Sequence, residues 1–132
     1  WQWLDNGLRT EQRCPAVATH PKTGEKVFFN QIQLHHVYCL GEEVRESMRE
    51  LYSEEQMPRN VYFGDGSAIP DAVMARVGEL YDQLSVEFPW QQGDILMVDN
   101  MLVAHARNAY RGAGRRIAVV MGDMVDQAAV VH

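Results

Sequence analysis

Three apolar stretches separated by turn residues occupy the last third of the chain, and they constrain its fold more than any other feature. Their sequences are GDILMVDN (93–100), LVAHARNAY (102–110) and RRIAVVMGD (115–123), and glycines at 112 and 114 separate the second from the third. Apolar runs of this length that are bounded by glycine, asparagine and aspartate are typical of strands. The sequence therefore predicts three strands here, with a turn at 112–114 joining the last two.

The first third of the chain also carries strand and turn signals. LDNGL (4–8) contains Asn6-Gly7 between extended flanks, and this dipeptide is a strong signal for a β-hairpin. CPAVATHPKTGEKVFFN (14–30) predicts a strand, a turn at Thr23-Gly24 and a second strand. Both segments therefore favour antiparallel hairpins.

The middle of the chain has helical periodicity. Apolar residues recur on one face between 42 and 52, and Pro58 follows that segment. A second helix is predicted to begin at Pro70, because proline suits the first helical position and Asp71 suits the positive end of the helix dipole. The predicted buried stripes are Val44, Met48, Leu51 and Tyr52 in the first helix, and Val73, Met74, Val77, Leu80, Tyr81 and Leu84 in the second. We interpret both helices as scaffold within a mainly β fold, an antiparallel sheet or barrel with a helical insertion.

Composition excludes several classes of protein. The 132 residues suit one domain, and the formal net charge of −6 argues against general binding of nucleic acid. No apolar run is long enough to span a membrane. Cys14 and Cys39 are too few for a disulfide framework, so we expect a reducing, cytoplasmic setting. The chain begins with Trp1 inside an extended segment, so we expect it to be the C-terminal part of a longer protein.

The polar residues of the last third are the candidates for chemistry. Alternation along a strand places His105 and Arg107 on one face, and either Arg115 or Arg116 can share the corresponding side of the next strand. A neutral imidazole is a good ligand for iron, and a guanidinium matches a carboxylate bidentately. The alternative is a hydrogen-bonded histidine of the core beside solvated arginines, and spacing alone does not decide between the two.

The other polar groups have plainer interpretations. Arg107 could meet a substrate carboxylate or form a salt bridge with a nearby acid such as Asp99, whereas Asp99-Asn100 is expected to close a strand and cap the following turn. We interpret FGDGS (63–67) as a tight loop that leads to the second helix, and His35-His36 as a surface or lid segment. Expected core aromatics are Phe28, Phe29, Phe88 and Trp90, and expected solvated charges are Arg59 and Arg111.

The signature WQQGDILMVDN, followed by His105 and by Arg116 eleven positions later, resembles the C-terminal motif of the TauD/TfdA-like family of Fe(II)- and 2-oxoglutarate-dependent oxygenases. HPKTGEKVFFN (20–30) is similar to a hairpin of the same family. The resemblance implies a partial double-stranded β-helix, a jelly roll like that of clavaminate synthase. It also implies that His105 is an iron ligand and that Arg116 binds the distal carboxylate of 2-oxoglutarate.

Three further segments resemble the syringomycin-type amino-acid hydroxylases within this family, and they are FNQ (29–31), YFGDGSAI (62–69) and DNMLVAHAR (99–107). This resemblance implies a role in secondary metabolism. The expected partner is an amino-acid-like substrate, either a free small molecule or a residue tethered to a carrier protein.

The family's other two iron ligands form a His-x-Asp or His-x-Glu triplet, and no such triplet exists in this sequence. Because the iron site needs two histidines and a carboxylate, we expect an N-terminal part of the same domain to supply the remaining ligands. By this interpretation the chain alone is inactive. The rival hypothesis is a jelly-roll fragment or degenerate binding module that has no complete iron site and no catalytic activity.

Overall fold

Two short antiparallel hairpins lie in the first thirty residues of the computed structural model, which describes residues 1–5, 7–112, 114 and 116–122. β1 (Gln2–Leu4) pairs with β2 (Gly7–Arg9), and β3 (Ala18–Thr19) pairs with β4 (Lys26–Val27). Both predicted hairpins are confirmed, although Asn6 of the first lies outside the described residues.

Backbone hydrogen bonds close the turn between β3 and β4. The His20 N–H donates to the Glu25 carbonyl at 2.8 Å, and the Gly24 N–H donates to the His20 carbonyl at 2.9 Å. Gly24 has φ +73, a left-handed conformation that glycine adopts without steric cost. The predicted turn at Thr23-Gly24 is therefore confirmed, and it fixes the backbone of His20.

Three α-helices and two 3₁₀ turns follow among the described residues. The α-helices are α1 (Ile32–His35), α2 (Glu42–Leu51) and α3 (Asp71–Leu84), and the 3₁₀ turns are Val37–Leu40 and Glu54–Gln56. Pro70 immediately precedes α3, so the two predicted helices are confirmed. Arg49 of α2 donates to both carboxylate oxygens of Asp71, at 2.9 and 3.0 Å, and thereby ties α2 to the first turn of α3.

The predicted buried stripes of the helices are mostly wrong. Met74 is fully buried, but Val44 is 50% exposed and Leu84 is 78% exposed. Periodicity decides which face of a helix is apolar, whereas burial requires a neighbour packed on that face. The expected core aromatics follow the same pattern, since Phe88 and Trp90 pack on each other, with ring centroids 5.4 Å apart, and still remain nearly half exposed.

The glycine-rich segment before α3 forms a tight loop. Phe63 N–H donates to the Ser67 carbonyl at 2.9 Å, and an isolated antiparallel bridge pairs Tyr62 with Ala68. Inside the loop, Asp65 accepts hydrogen bonds from the hydroxyl and the backbone N–H of Ser67, and these bonds lower the pKa of its carboxyl group. This confirms the interpretation of 63–67 as a loop that leads to the second long helix.

The chain's contacts form two compact units, Trp1–Asn30 with Ile95–His132, and Gln31–Asp94. In the described part of the first unit, the buried side chains are those of Ala18 and His20. In the second unit they are those of Val37, Ile69, Met74 and His36. Each unit therefore contains a buried histidine. None of the described helices is long and apolar enough to cross a membrane.

The three strands predicted in the last third are not formed among the described residues. After α3, the structure assigns no strand to residues 85–112, 114 or 116–122, and Ile95 and Val120 are each 94% exposed. A strand exists only as part of a sheet, because its backbone groups must pair with a neighbour. Ala113, Arg115 and Asp123 lie outside the described residues. Helical residues outnumber strand residues in the described part, so the structure confirms neither the mainly β class nor the double-stranded β-helix.

His36 is buried, and its interpretation as a surface or lid residue is wrong. It is 3% exposed, and its Nδ1 accepts the backbone N–H of Tyr38 at 3.1 Å. Burial lowers the pKa of the imidazole from its ordinary 6.5, and a hydrogen bond to the backbone of Ile69 partly opposes this shift. The desolvation of the charged form is the larger effect, so the neutral ring is favoured.

We expect the free energy of unfolding to fall as the pH is lowered through 6.5. In that range the unfolded chain takes up a proton on His36 while the folded chain, whose pKa is lower, does not. The stability that neutral His36 contributes is fully present above the pKa that this residue has in the unfolded chain. It is lost as the pH falls towards the lower pKa of the folded chain, and the free energy of unfolding then changes by at most about 1.4 kcal/mol per pH unit. Urea unfolding between about pH 7.5 and 5 measures the slope. His36→Gln should flatten it and His35→Gln, at the exposed neighbour, should not; an unchanged slope in His36→Gln would refute this assignment.

Candidate functional site

Asp99 organises the turn that precedes His105. Its Oδ1 accepts the Met101 N–H at 3.0 Å, and its carbonyl accepts the N–H groups of Leu102 and Val103, each at 3.1 Å. The bond from Met101 and then the bond from His20 lower the pKa of the Asp99 carboxyl group, which favours the charged acceptor. The prediction that Asp99 caps the turn after its apolar segment is confirmed.

The second carboxylate oxygen of Asp99 bonds to a buried histidine. Asp99 Oδ2 lies 3.0 Å from His20 Nε2, and the His20 side chain is 4% exposed. On the other side of the ring, His20 Nδ1 accepts the backbone N–H of Thr23 at 3.1 Å. Because Nδ1 is an acceptor, the proton of the neutral ring is on Nε2, and the imidazole donates it to Asp99.

A short network holds this tautomer in place. The Thr23 hydroxyl oxygen also lies 3.1 Å from His20 Nδ1, and it accepts the Glu25 N–H at 3.3 Å. The β3–β4 turn therefore supplies two contacts to one ring nitrogen, and the other nitrogen reaches a residue 79 positions away in sequence. The sequence predicts this turn but not its contact with Asp99. The available signal was a threonine placed three residues after a histidine in a glycine turn.

The predicted site residues lie in the segment that follows the Asp99 turn. His105, Arg107 and Arg116 are all exposed and belong to no strand in this structure. The convergence of His105 with Arg116 therefore stays a prediction, and Arg115 lies outside the described residues. No salt bridge joins Arg107 to Asp99 in the described part of the chain, where the Asp99 carboxylate bonds to His20 and to the Met101 N–H.

The described residues do not make an iron site by themselves. They contain no group of three or more histidine, cysteine, aspartate or glutamate side chains that could hold a metal ion. The imidazole of His105 is chemically suited to iron, but a non-haem iron site of the kind expected needs two further protein donors. His105 is therefore a chemically suitable ligand for iron, but the described residues supply too few ligands to complete an iron site.

The sequence has matches among known proteins. The sequence model of the "Taurine catabolism dioxygenase TauD, TfdA family" matches residues 1–121. Dapdiamide synthesis protein DdaC of Enterobacter agglomerans is 35% identical over 125 residues, which are 94% of this chain and 38% of that protein. A clavaminate synthase-like protein of Arabidopsis thaliana is 29% identical over 119 residues, 89% of this chain and 33% of that protein. No solved structure matches the chain.

These matches cover enough of this chain to assign its family, but they cover only part of each relative. The chain spans between a third and two fifths of the length of these curated relatives. The family match includes the His20 turn, Asp99, His105 and Arg116, and it leaves out only residues 122–132. The chain belongs to the TauD/TfdA family of dioxygenases.

Proposed function

We propose that the full-length protein is an Fe(II)- and 2-oxoglutarate-dependent dioxygenase that hydroxylates an amino-acid-like substrate. The observation that carries the proposal is the family match over residues 1–121, which includes His105 and the arginine eleven positions after it. Both relatives match over most of this chain, and this supports extending the family's activity to it.

In this proposal each residue of the last segment has one role. His105 supplies an imidazole to the iron, and Arg116 pairs with the distal carboxylate of 2-oxoglutarate through its planar guanidinium. Iron held with donors from the rest of the domain would supply the oxidation chemistry, with dioxygen and 2-oxoglutarate as co-substrates. Arg107, two residues beyond His105, binds a carboxylate of the substrate, and its charge is not engaged by Asp99.

The relatives' names support a role in biosynthesis. One relative is a protein of dapdiamide synthesis, and the other is named for its likeness to clavaminate synthase. The first name refers to the synthesis of a specific small molecule, and the second refers to likeness to a synthase. We therefore assign the protein to secondary metabolism, with an amino acid that is free or tethered to a carrier protein as its substrate.

Mass spectrometry tests this proposal. Full-length protein should be incubated with Fe(II), 2-oxoglutarate, dioxygen and a panel of amino acids, each offered free and loaded on a carrier protein. For each substrate molecule that gains one oxygen atom, one 2-oxoglutarate should become succinate and carbon dioxide. A protein that binds iron and yet forms neither succinate nor hydroxylated product with any candidate would favour the rival, a binding module without catalysis.

A further inference from the structure

The contact between His20 and Asp99 joins two segments that are far apart in sequence. His20 is held by the β3–β4 turn, through the two hydrogen bonds of its backbone and the contacts of Nδ1 with Thr23. Asp99 holds the turn 99–103 through three backbone N–H groups. A buried, singly protonated ring therefore connects the β3–β4 hairpin to the turn that precedes His105.

The geometry limits the freedom of His105. Val103 is the last residue bonded to the Asp99 carbonyl, and His105 is two residues further along. Two residues of extended chain span at most about 7 Å. The position of Asp99 therefore sets the region of space that the His105 imidazole can reach.

We propose that His20 is a positioning residue for His105, which acts by holding Asp99 through its Nε2–H. The metal role of His105 rests on the proposed function, whereas the anchoring of the turn 99–103 does not. Asp99 is about half exposed and His20 is buried, so the hairpin side of the contact is the fixed side.

Two substitutions at His20 separate positioning from simple support of the hairpin. In His20→Asn, the amide oxygen stands where Nδ1 was, so the bond from Thr23 is kept and the bond to Asp99 is lost. In His20→Gln, the amide nitrogen stands where Nε2 was, so the bond to Asp99 is kept and the bond from Thr23 is lost. Positioning predicts that asparagine is harmful and glutamine is tolerated, and support of the hairpin predicts the reverse.

Two single variants, Asp99→Asn and its control Asp94→Asn, form a second matched pair. In Asp99→Asn the amide oxygen can still accept the Met101 N–H, but the amide nitrogen presents an N–H group to the N–H of His20 Nε2. Asp94 accepts the Gln91 N–H in an exposed turn, so the Asp94→Asn change removes the same charge without touching His20. Only the substitution at position 99 should act on the turn before His105.

The first measurement is amide hydrogen exchange in the metal-free full-length protein. His20→Asn should accelerate amide exchange at residues 101–103 and leave the exchange rates of residues 31–84 unchanged. His20→Gln should leave the exchange rates of both segments as they are in the original protein. Equal exchange at 101–103 in all variants, or a larger effect from glutamine than from asparagine, overturns the proposal.

The second measurement is titration with Co(II) alone, followed through its visible absorption bands. Loss of groups that orient a metal ligand costs about 10–100-fold in metal affinity, and the lower end is expected here because His20 acts through a turn. His20→Asn and Asp99→Asn should therefore weaken Co(II) binding about tenfold, and His20→Gln and Asp94→Asn should not. Unchanged Co(II) affinity in His20→Asn and Asp99→Asn overturns the proposal that His20 positions His105. If the original protein binds no Co(II), the proposed function fails instead, and the exchange rates still decide whether His20 anchors the turn.

Discussion

His105→Ala is expected to abolish the visible charge-transfer band that Fe(II) and 2-oxoglutarate give with the full-length protein under anaerobic conditions. The reason is the loss of one of the three protein donors that such an iron site needs. Changes to groups that only support a ligand already cost about 10–100-fold in affinity. Removing the ligand should cost more than about 100-fold.

The matched control is His35→Ala. His35 is exposed, as His105 is, and lies at the end of α1 in the other unit of the chain. The His35→Ala variant should leave the charge-transfer band and the affinity for Fe(II) unchanged. If the band survives in His105→Ala, this histidine is not an iron ligand, and the sequence motif has been assigned the wrong role.

Arg116→Ala should raise the concentration of 2-oxoglutarate that the enzyme requires. A hydrogen bond to a charged group contributes about 1.5–3 kcal/mol, so loss of one such bond should raise the apparent Kd for 2-oxoglutarate about 10- to 150-fold. Titration of 2-oxoglutarate into the Fe(II)-loaded protein measures this directly. The affinity for Fe(II) alone should not change, because Arg116 carries no metal donor.

Two further variants sharpen this test. Arg116→Lys keeps the positive charge but loses the planar fork that grips a carboxylate, so its affinity should lie between those of the original protein and Arg116→Ala. Arg111→Ala removes an exposed arginine of the same segment and should leave the affinity unchanged. Equal losses in Arg111→Ala and Arg116→Ala would indicate a general effect of charge rather than a specific contact.

Local signals in the sequence predicted local structure well. The two hairpins, α2, α3 and the loop at 63–67 all form where turn residues and periodicity place them. Asp99 also caps its turn as expected. In each case a few neighbouring residues decide the conformation, through a hydrogen bond, a positive φ at glycine or the position of a proline.

Features that depend on distant partners were not predictable in the same way. The burial of His36 depends on packing within its unit, and the bond between His20 and Asp99 joins residues 79 positions apart. The expected strands of the last third need neighbouring strands for their backbone bonds, and pattern alone does not supply them. Identification of His105 and Arg116 came from the family motif, because alternation along a strand did not decide between an iron ligand and the more common hydrogen-bonded core histidine.

The hydrogen bonding of the two buried histidines has a chemical consequence. The Nδ1 lone pair of each ring is occupied, by Thr23 N–H in His20 and by Tyr38 N–H in His36. Neither ring therefore offers a free, accessible nitrogen to an acylating reagent or an alkylating agent. In the part of the chain that the structure describes, His35 and His105 are the exposed imidazoles, so among the four described histidines these two are the ones open to electrophiles.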